Sequence, residues 1–204
     1  MHLSLPRTAE AAAAEVKRLR QILLDMPATA PSRYALAEIV LIRAAAILER
    51  SIAELAYKIA CGAIFVNGNR DNILITCRSI QSARTIMLHD NGVRPIAKSN
   101  LKWTRASSIK DSVSCIIDKN SHFVLSCQRY GSHIKEIFDV RNHAAHRNSS
   151  SRKKYHDWVV QQYGQDRNIQ IGYFLLTTNL NPICNIDRYL TYCTIIIDEI
   201  VAGP

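Results

Sequence analysis

Residues 32–60 read SRYALAEIVLIRAAAILERSIAELAYKIA, and this stretch decides the fold class. Its apolar residues recur in steps of four and three, which is the period of a helix with one buried face. Ser32 is a suitable N-cap, and Gly62 is placed to end the helix. A helix from Arg33 to Ala60 is about 40 Å long, long enough to be the central helix of a bundle. Its buried seam is predicted to consist of Leu41, Ala45, Leu48, Ile52, Leu55 and Ile59.

The rest of the chain also has mainly helical patterns. An Ala- and Leu-rich N-terminal helix is predicted over residues 8–26, with Thr8 as its N-cap. Further helices are predicted from His133 to His146 and from about Ile186 to Val201.

Residues 169–178 are rich in β-branched and aromatic side chains, a composition compatible with one short irregular strand or hairpin. The predicted fold is nevertheless an all-α bundle of about five principal helices. We expect a single domain over residues 1–204, with its core at about 32–201.

Composition limits the function classes. The chain has 204 residues and a formal net charge of +9, an excess that favours polyanionic partners such as RNA. No apolar run approaches the ~20 residues that a membrane span needs. The N-terminus lacks the apolar segment of a secretory signal, so the sequence predicts a cytoplasmic protein without a membrane partner.

The predicted helix that begins at His133 ends in a chemically suggestive string, Arg141-Asn142-His143-Ala144-Ala145-His146. On a helix, Asn142 and His146 share a polar stripe with Lys135 and Asp139. Arg141 emerges beside the core edge, about 140° around and ~7.5 Å along the axis from His146, a gap that a long side chain can close. His143 faces away from the stripe and is interpreted as a bystander.

These residue types together suit RNA cleavage without a metal. The 2′-hydroxyl of RNA can attack its own phosphate if a base removes its proton and cations stabilise the developing charge. Histidine titrates near neutral pH, and the arginine guanidinium fits phosphate oxygens. Asn142 can orient the imidazole or bind phosphate. DNA lacks this internal nucleophile, so the chemistry selects RNA.

The spacing alone is not specific, since Arg84 and His89 repeat it. Only Arg141, however, is followed directly by Asn. A structural alternative is a helix C-terminus at which His146 and Arg147 complement the dipole.

The long helix and the later helix ending in Arg-Asn-x-x-x-His resemble the HEPN superfamily, including its stand-alone bacterial forms. The resemblance covers about residues 32–201, and its sharp part is the string from Arg141 to His146. It implies a bundle of four to five helices and a homodimer that joins two Arg/His sets in one cleft. It also implies endoribonuclease activity without metal or cofactor that leaves 2′,3′-cyclic phosphate ends. Many members act as toxins or in antiviral defence, and others are inactive binding partners.

By this resemblance, Arg141 and His146 would be the catalytic pair, assisted by Asn142. Glu49 lies on a stripe of small residues of the long helix, where its carboxylate can hold Arg141 or His146; a solvated or intrahelical role is the alternative. RNA phosphates are expected to contact the basic residues after the string, which are Arg147, Arg152, Lys153 and Lys154.

Two function classes remain open from sequence. The favoured one is a ribonuclease for single-stranded or loop RNA, such as tRNA or mRNA, restrained in the cell by an antitoxin or defence partner. The other is a non-catalytic helical adaptor that binds RNA or a protein through its basic face. A DNA-binding regulator is disfavoured, because the chain has no helix-turn-helix glycine turn and no zinc-ligand spacing.

Overall fold

A computed structural model describes residues 3–27, 31–89, 101–165, 167–178 and 182–204. Within these ranges the chain is all-helical, which confirms the predicted class. The nine described helices are α1 Leu5–Asp25, α2 Ser32–Ala60, α3 Ile80–His89, α4 Ala106–Val113, α5 His122–Arg129, α6 Gly131–His146, α7 Ser149–Tyr163, α8 Ile171–Leu176 and α9 Asn185–Ala202. Five of them, α1, α2, α6, α7 and α9, have 15 residues or more.

Helix α2 is the centre of the fold, and α1, α6, α8 and α9 all pack against it. Every member of its predicted seam is at most 1% exposed, so the sequence prediction of this face is confirmed. The helix ends as predicted, since Gly62 has a φ of +81° and donates its N–H to the carbonyl of Ile59. Ser32 is not its N-cap, however, because Pro31 occupies that position and no side chain caps the end.

Helix α1 begins three residues before the predicted start at Thr8. Ser4 is the N-cap, and its Oγ accepts a hydrogen bond from the N–H of Arg7. Thr8 instead lies inside the helix, where its hydroxyl donates to Glu54 at 2.9 Å and accepts from the Nζ of Lys58 at 2.7 Å. A tertiary partner on α2 therefore determines the role of this threonine.

The predicted strand or hairpin at residues 169–178 is wrong, because this segment contains helix α8. Ile171, Phe174 and Leu175 have the three- and four-residue spacing of one helical face and are all buried. Burial against α2 therefore outweighs the β-propensity of these residues.

Gly172 determines how closely α8 approaches α2. A Cβ at this position would lie 2.7 Å from both the Cβ and the carbonyl oxygen of Tyr34. We expect Gly172→Ala to lower the free energy of unfolding by about 1–3 kcal/mol, because one backbone must move away from the other. Urea denaturation measures this loss. An unfolding midpoint of Gly172→Ala equal to that of the wild-type chain would contradict a steric clash with Tyr34.

No helix in the described part of the chain has the length and apolar character required to cross a membrane.

Candidate functional site

Helix α6 holds the Arg-Asn-x-x-x-His string in its last two turns, and it ends at His146 as the sequence predicts. Its earlier residues anchor it through the buried side chains of Ile134, Ile137, Phe138 and Val140. Arg147 then turns the chain in the left-handed conformation, with φ 46° and ψ 26°, and its N–H donates to the carbonyl of His143. A non-glycine residue in this conformation costs roughly 1–2 kcal/mol.

The polar stripe predicted on α6 is only partly exposed. The carboxylate of Asp139 is 2% exposed and forms ion pairs with Lys135 at 3.0 Å and Arg105 at 3.5 Å. The indole N–H of Trp158 also donates to it at 3.4 Å. Asp139 therefore fixes α6 against α7 and the start of α4, and only the end of the stripe is left for a ligand.

Arg141 is half-buried, and its Nη1 donates to the Oδ1 of Asn142 at 3.0 Å. Asn142 therefore orients the guanidinium rather than the imidazole of His146. The Nε of Arg141 is buried and has no hydrogen-bond partner among the described residues. A buried donor without a partner costs about 1–3 kcal/mol, so this placement of Arg141 lowers the free energy of unfolding.

His146 is exposed at the end of α6. Within the described part of the chain, no hydrogen bond joins it to Arg141 or Asn142. A single chain therefore joins Arg141 to Asn142 by a hydrogen bond but joins neither of them to His146 in this way among the described residues.

Glu49 is half-buried on α2, and in the described ranges no ion pair joins it to Arg141 or His146. The carboxylate that reaches the end of α6 is that of Glu38, which accepts from Arg147 at 2.8 Å. The two glutamates share one face of α2 but lie three turns apart, about 16 Å along the axis. The acidic residue beside the motif is therefore nearer the N-terminus of α2 than the sequence suggested.

The four predicted RNA-binding residues separate into two pairs. Arg147 and Arg152 line a cleft between the end of α6, the start of α7 and the segment before α8. Lys153 is exposed and Lys154 is half-buried on α7, and neither is a lining residue.

This cleft, which we call the basic cleft, has a volume of about 320 Å³. It adjoins the motif without including Arg141 or His146. Its described lining residues are Glu38, His143, Arg147, Arg152, Tyr155, His156, Arg167, Asn168, Ile169, Gln170 and Ile171.

His143 forms part of the wall of the basic cleft, which differs from its interpretation as a bystander. Its ring stacks on Tyr155 with centroids 4.9 Å apart, and its Nδ1 lies 3.4 Å from the Oγ of Ser151. Burial lowers the pKa of His143, and the nearby Arg152 and Arg147 lower it further, while Glu38 opposes them. The imidazole is therefore neutral near pH 7.

Among the lining residues that were not predicted from the sequence are His143, Tyr155, His156 and Arg167. The sequence pattern could have identified two of them. Tyr155 and His156 lie three and four positions after Arg152, so all three residues share one face of α7. Arg167 comes from a loop, where no periodic pattern identifies it.

The depressed pKa of His143 predicts a pH effect on stability. Below about pH 6.5 the unfolded chain takes up a proton that the folded chain resists, so the free energy of unfolding falls with decreasing pH. His143→Phe retains an aromatic ring to stack on Tyr155 but cannot titrate. We expect a shallower decline in stability for this variant between about pH 7 and pH 5 in urea denaturation. Parallel pH profiles for the two proteins would contradict the prediction.

No protein-family model matches this chain, and neither a curated protein nor a solved structure matches it.

Proposed function

We propose that this protein is a metal-independent endoribonuclease of the HEPN type. The observation that carries the proposal is the pair formed by Arg141 and Asn142 in the turn before an exposed His146. A guanidinium oriented by a neighbouring amide still has further N–H donors on its terminal nitrogens that can bind phosphate. An exposed imidazole is accessible to a 2′-hydroxyl. The positive charge of the adjoining cleft adds attraction for the RNA backbone.

In the proposed reaction, His146 removes the proton of a 2′-hydroxyl as its oxygen attacks the adjacent phosphorus. The bond from phosphorus to the 5′-oxygen breaks, and an imidazolium donates a proton to that leaving oxygen. Arg141 donates hydrogen bonds to the phosphoryl oxygens, on which negative charge grows in the transition state. The products are a 2′,3′-cyclic phosphate and a 5′-hydroxyl, with no need for a metal or cofactor.

A homodimer fits this chemistry better than a single chain. Two proton-transfer groups are needed, and each chain offers one His146 at an exposed helix end. Because no ion pair joins Glu49 to Arg141 or His146 in the described part of one chain, its proposed role of holding these residues requires a contact with the second chain.

Cleavage of cellular RNA would be harmful without restraint, so the proposal includes a cytoplasmic role as a toxin or antiviral effector with an inhibitory partner. Growth after induction tests this role. We expect the wild-type chain to arrest growth and His146→Ala to relieve the arrest at equal protein level. Equal growth arrest by both proteins would contradict a cleavage-based toxicity.

A second candidate function is favoured by the lack of a hydrogen bond between His146 and Arg141 among the described residues. A non-catalytic adaptor would use the same basic face to bind RNA or a protein and would need no aligned pair. It predicts RNA binding by the wild-type chain without cleavage and without any dependence on His146.

A further inference from the structure

The side chains that line the basic cleft carry a formal excess of positive charge. Three guanidinium groups, those of Arg147, Arg152 and Arg167, line it, and Glu38 is the single carboxylate among its described lining residues. Arg147 and Arg152 lie close enough to His143, another wall residue, to lower the pKa of its imidazole. The formal excess of two positive charges favours the binding of an anionic ligand.

The walls of the cleft are held in position by contacts within the chain. The hydroxyl of Tyr155 donates to the carbonyl of Ile169 at 2.9 Å, which ties α7 to the segment that carries Arg167. The guanidinium of Arg167 lies 5.7 Å from the ring centroid of Tyr163. Arg147 is positioned by the end of α6 and by its ion pair with Glu38. Such positioning lowers the entropy lost when a ligand binds.

The size of the cleft indicates a small ligand group. Its volume of about 320 Å³ is at the lower end of the range for small-molecule sites. We propose that the basic cleft binds a terminal phosphate, a phosphomonoester, of a nucleotide or of an RNA end. A phosphomonoester carries close to two negative charges at neutral pH and so matches the excess charge of the cleft, whereas a phosphodiester within a strand carries one. This inference does not rest on the proposed cleavage.

Binding of matched oligonucleotides tests this site. The probes are 2′-O-methyl oligonucleotides of one sequence with a 5′-phosphate, a 3′-phosphate or hydroxyl ends, which cannot be cleaved through a 2′-hydroxyl. We expect one of the phosphorylated probes to bind the wild-type chain at least about tenfold more tightly than the hydroxyl probe in fluorescence anisotropy, since hydrogen bonds from guanidinium groups to phosphate are charge-assisted and therefore strong. Equal affinities for all three probes would overturn the proposal.

Three variants test whether the preference for the phosphorylated probe depends on the cleft. Arg152→Ala and Arg147→Gly each remove a lining guanidinium, and we expect both to abolish the preference for the phosphorylated probe. Arg147→Gly also relieves the left-handed backbone, so its loss of binding is not a failure to fold. Arg84→Ala removes the same charge from an exposed position on α3, outside the cleft, and is expected to retain the preference. An equal loss in Arg84→Ala would overturn the assignment.

Competition with a free mononucleotide identifies the source of the phosphate. Displacement of the phosphorylated probe by adenosine monophosphate, but not by adenosine, supports a cleft that takes free nucleotides. Displacement only by phosphorylated oligonucleotides supports recognition of an RNA end. If the protein prefers the phosphorylated probe but does not cleave RNA, the phosphate site is supported and the proposed ribonuclease is rejected. If it cleaves RNA but shows no preference for the phosphorylated probe, only the phosphate site is rejected.

Discussion

We expect His146→Ala to lower the rate of RNA cleavage by at least about 100-fold, since general acid–base catalysis contributes about 10² to 10⁴. His146 is exposed at the end of α6, so its removal should leave the unfolding midpoint close to that of the wild-type chain. A large loss of activity at unchanged stability would indicate a chemical role for the imidazole.

Arg141→Ala should have an effect on cleavage comparable to that of His146→Ala, because one donor to a developing oxyanion contributes about 10² to 10³ in rate. Arg141→Lys should recover little activity, since an ammonium group cannot reproduce the planar fork that Asn142 orients.

The chain contains its own matched control for these variants. Arg84 and His89 have the same spacing, and both are exposed on α3. We expect Arg84→Ala and His89→Ala to cleave RNA at the wild-type rate. If these variants lost as much activity as Arg141→Ala and His146→Ala, a general loss of positive charge would explain the results better than a catalytic pair.

Glu136→Ala is expected to lower the free energy of unfolding by about 3–5 kcal/mol, because it leaves a partly buried cation without its partner. The carboxylate of Glu136 lies on α6 and is 7% exposed. It accepts hydrogen bonds from two nitrogens of Arg188 and from the hydroxyl of Tyr189, both on α9. Its removal would leave the guanidinium and the phenol of α9 without this acceptor in the interior.

Urea denaturation of Glu136→Ala, Glu136→Gln and Tyr189→Phe, each compared with the wild-type chain, measures the loss of stability. Glu136→Gln keeps an acceptor for Arg188 and Tyr189 but removes the charge, so it should be destabilised less than Glu136→Ala. Tyr189→Phe removes a single hydroxyl and should lose only about 1 kcal/mol. If Glu136→Ala unfolded at the wild-type midpoint, the contact between α6 and α9 would not contribute to stability as described.

The elements that the sequence predicted well are those determined by local periodicity. The seam of α2, from Leu41 to Ile59, follows from apolar spacing alone, and its burial agrees. The end of α6 at His146 also agrees with the sequence prediction. Helix α8 was missed because six residues are too few for a periodic signal, and its conformation depends on packing against α2.

The surroundings of the motif depend on contacts that are distant in sequence. Glu38 meets Arg147 across 109 positions, and no local pattern distinguishes Glu38 from Glu49 on the same helix face. The pairing of Arg141 with Asn142 joins neighbouring residues, yet the sequence equally allowed Asn142 to orient His146. The basic cleft was predicted only through Arg147 and Arg152, because Arg167 reaches it from a loop.

The most direct test of the central claim is end-group analysis of a defined RNA incubated with the purified chain in EDTA. We predict fragments with 2′,3′-cyclic phosphate and 5′-hydroxyl ends, and no fragments with His146→Ala. Intact RNA after incubation with the folded wild-type chain, or fragments with 5′-phosphate ends that require a divalent metal, would contradict the proposed ribonuclease.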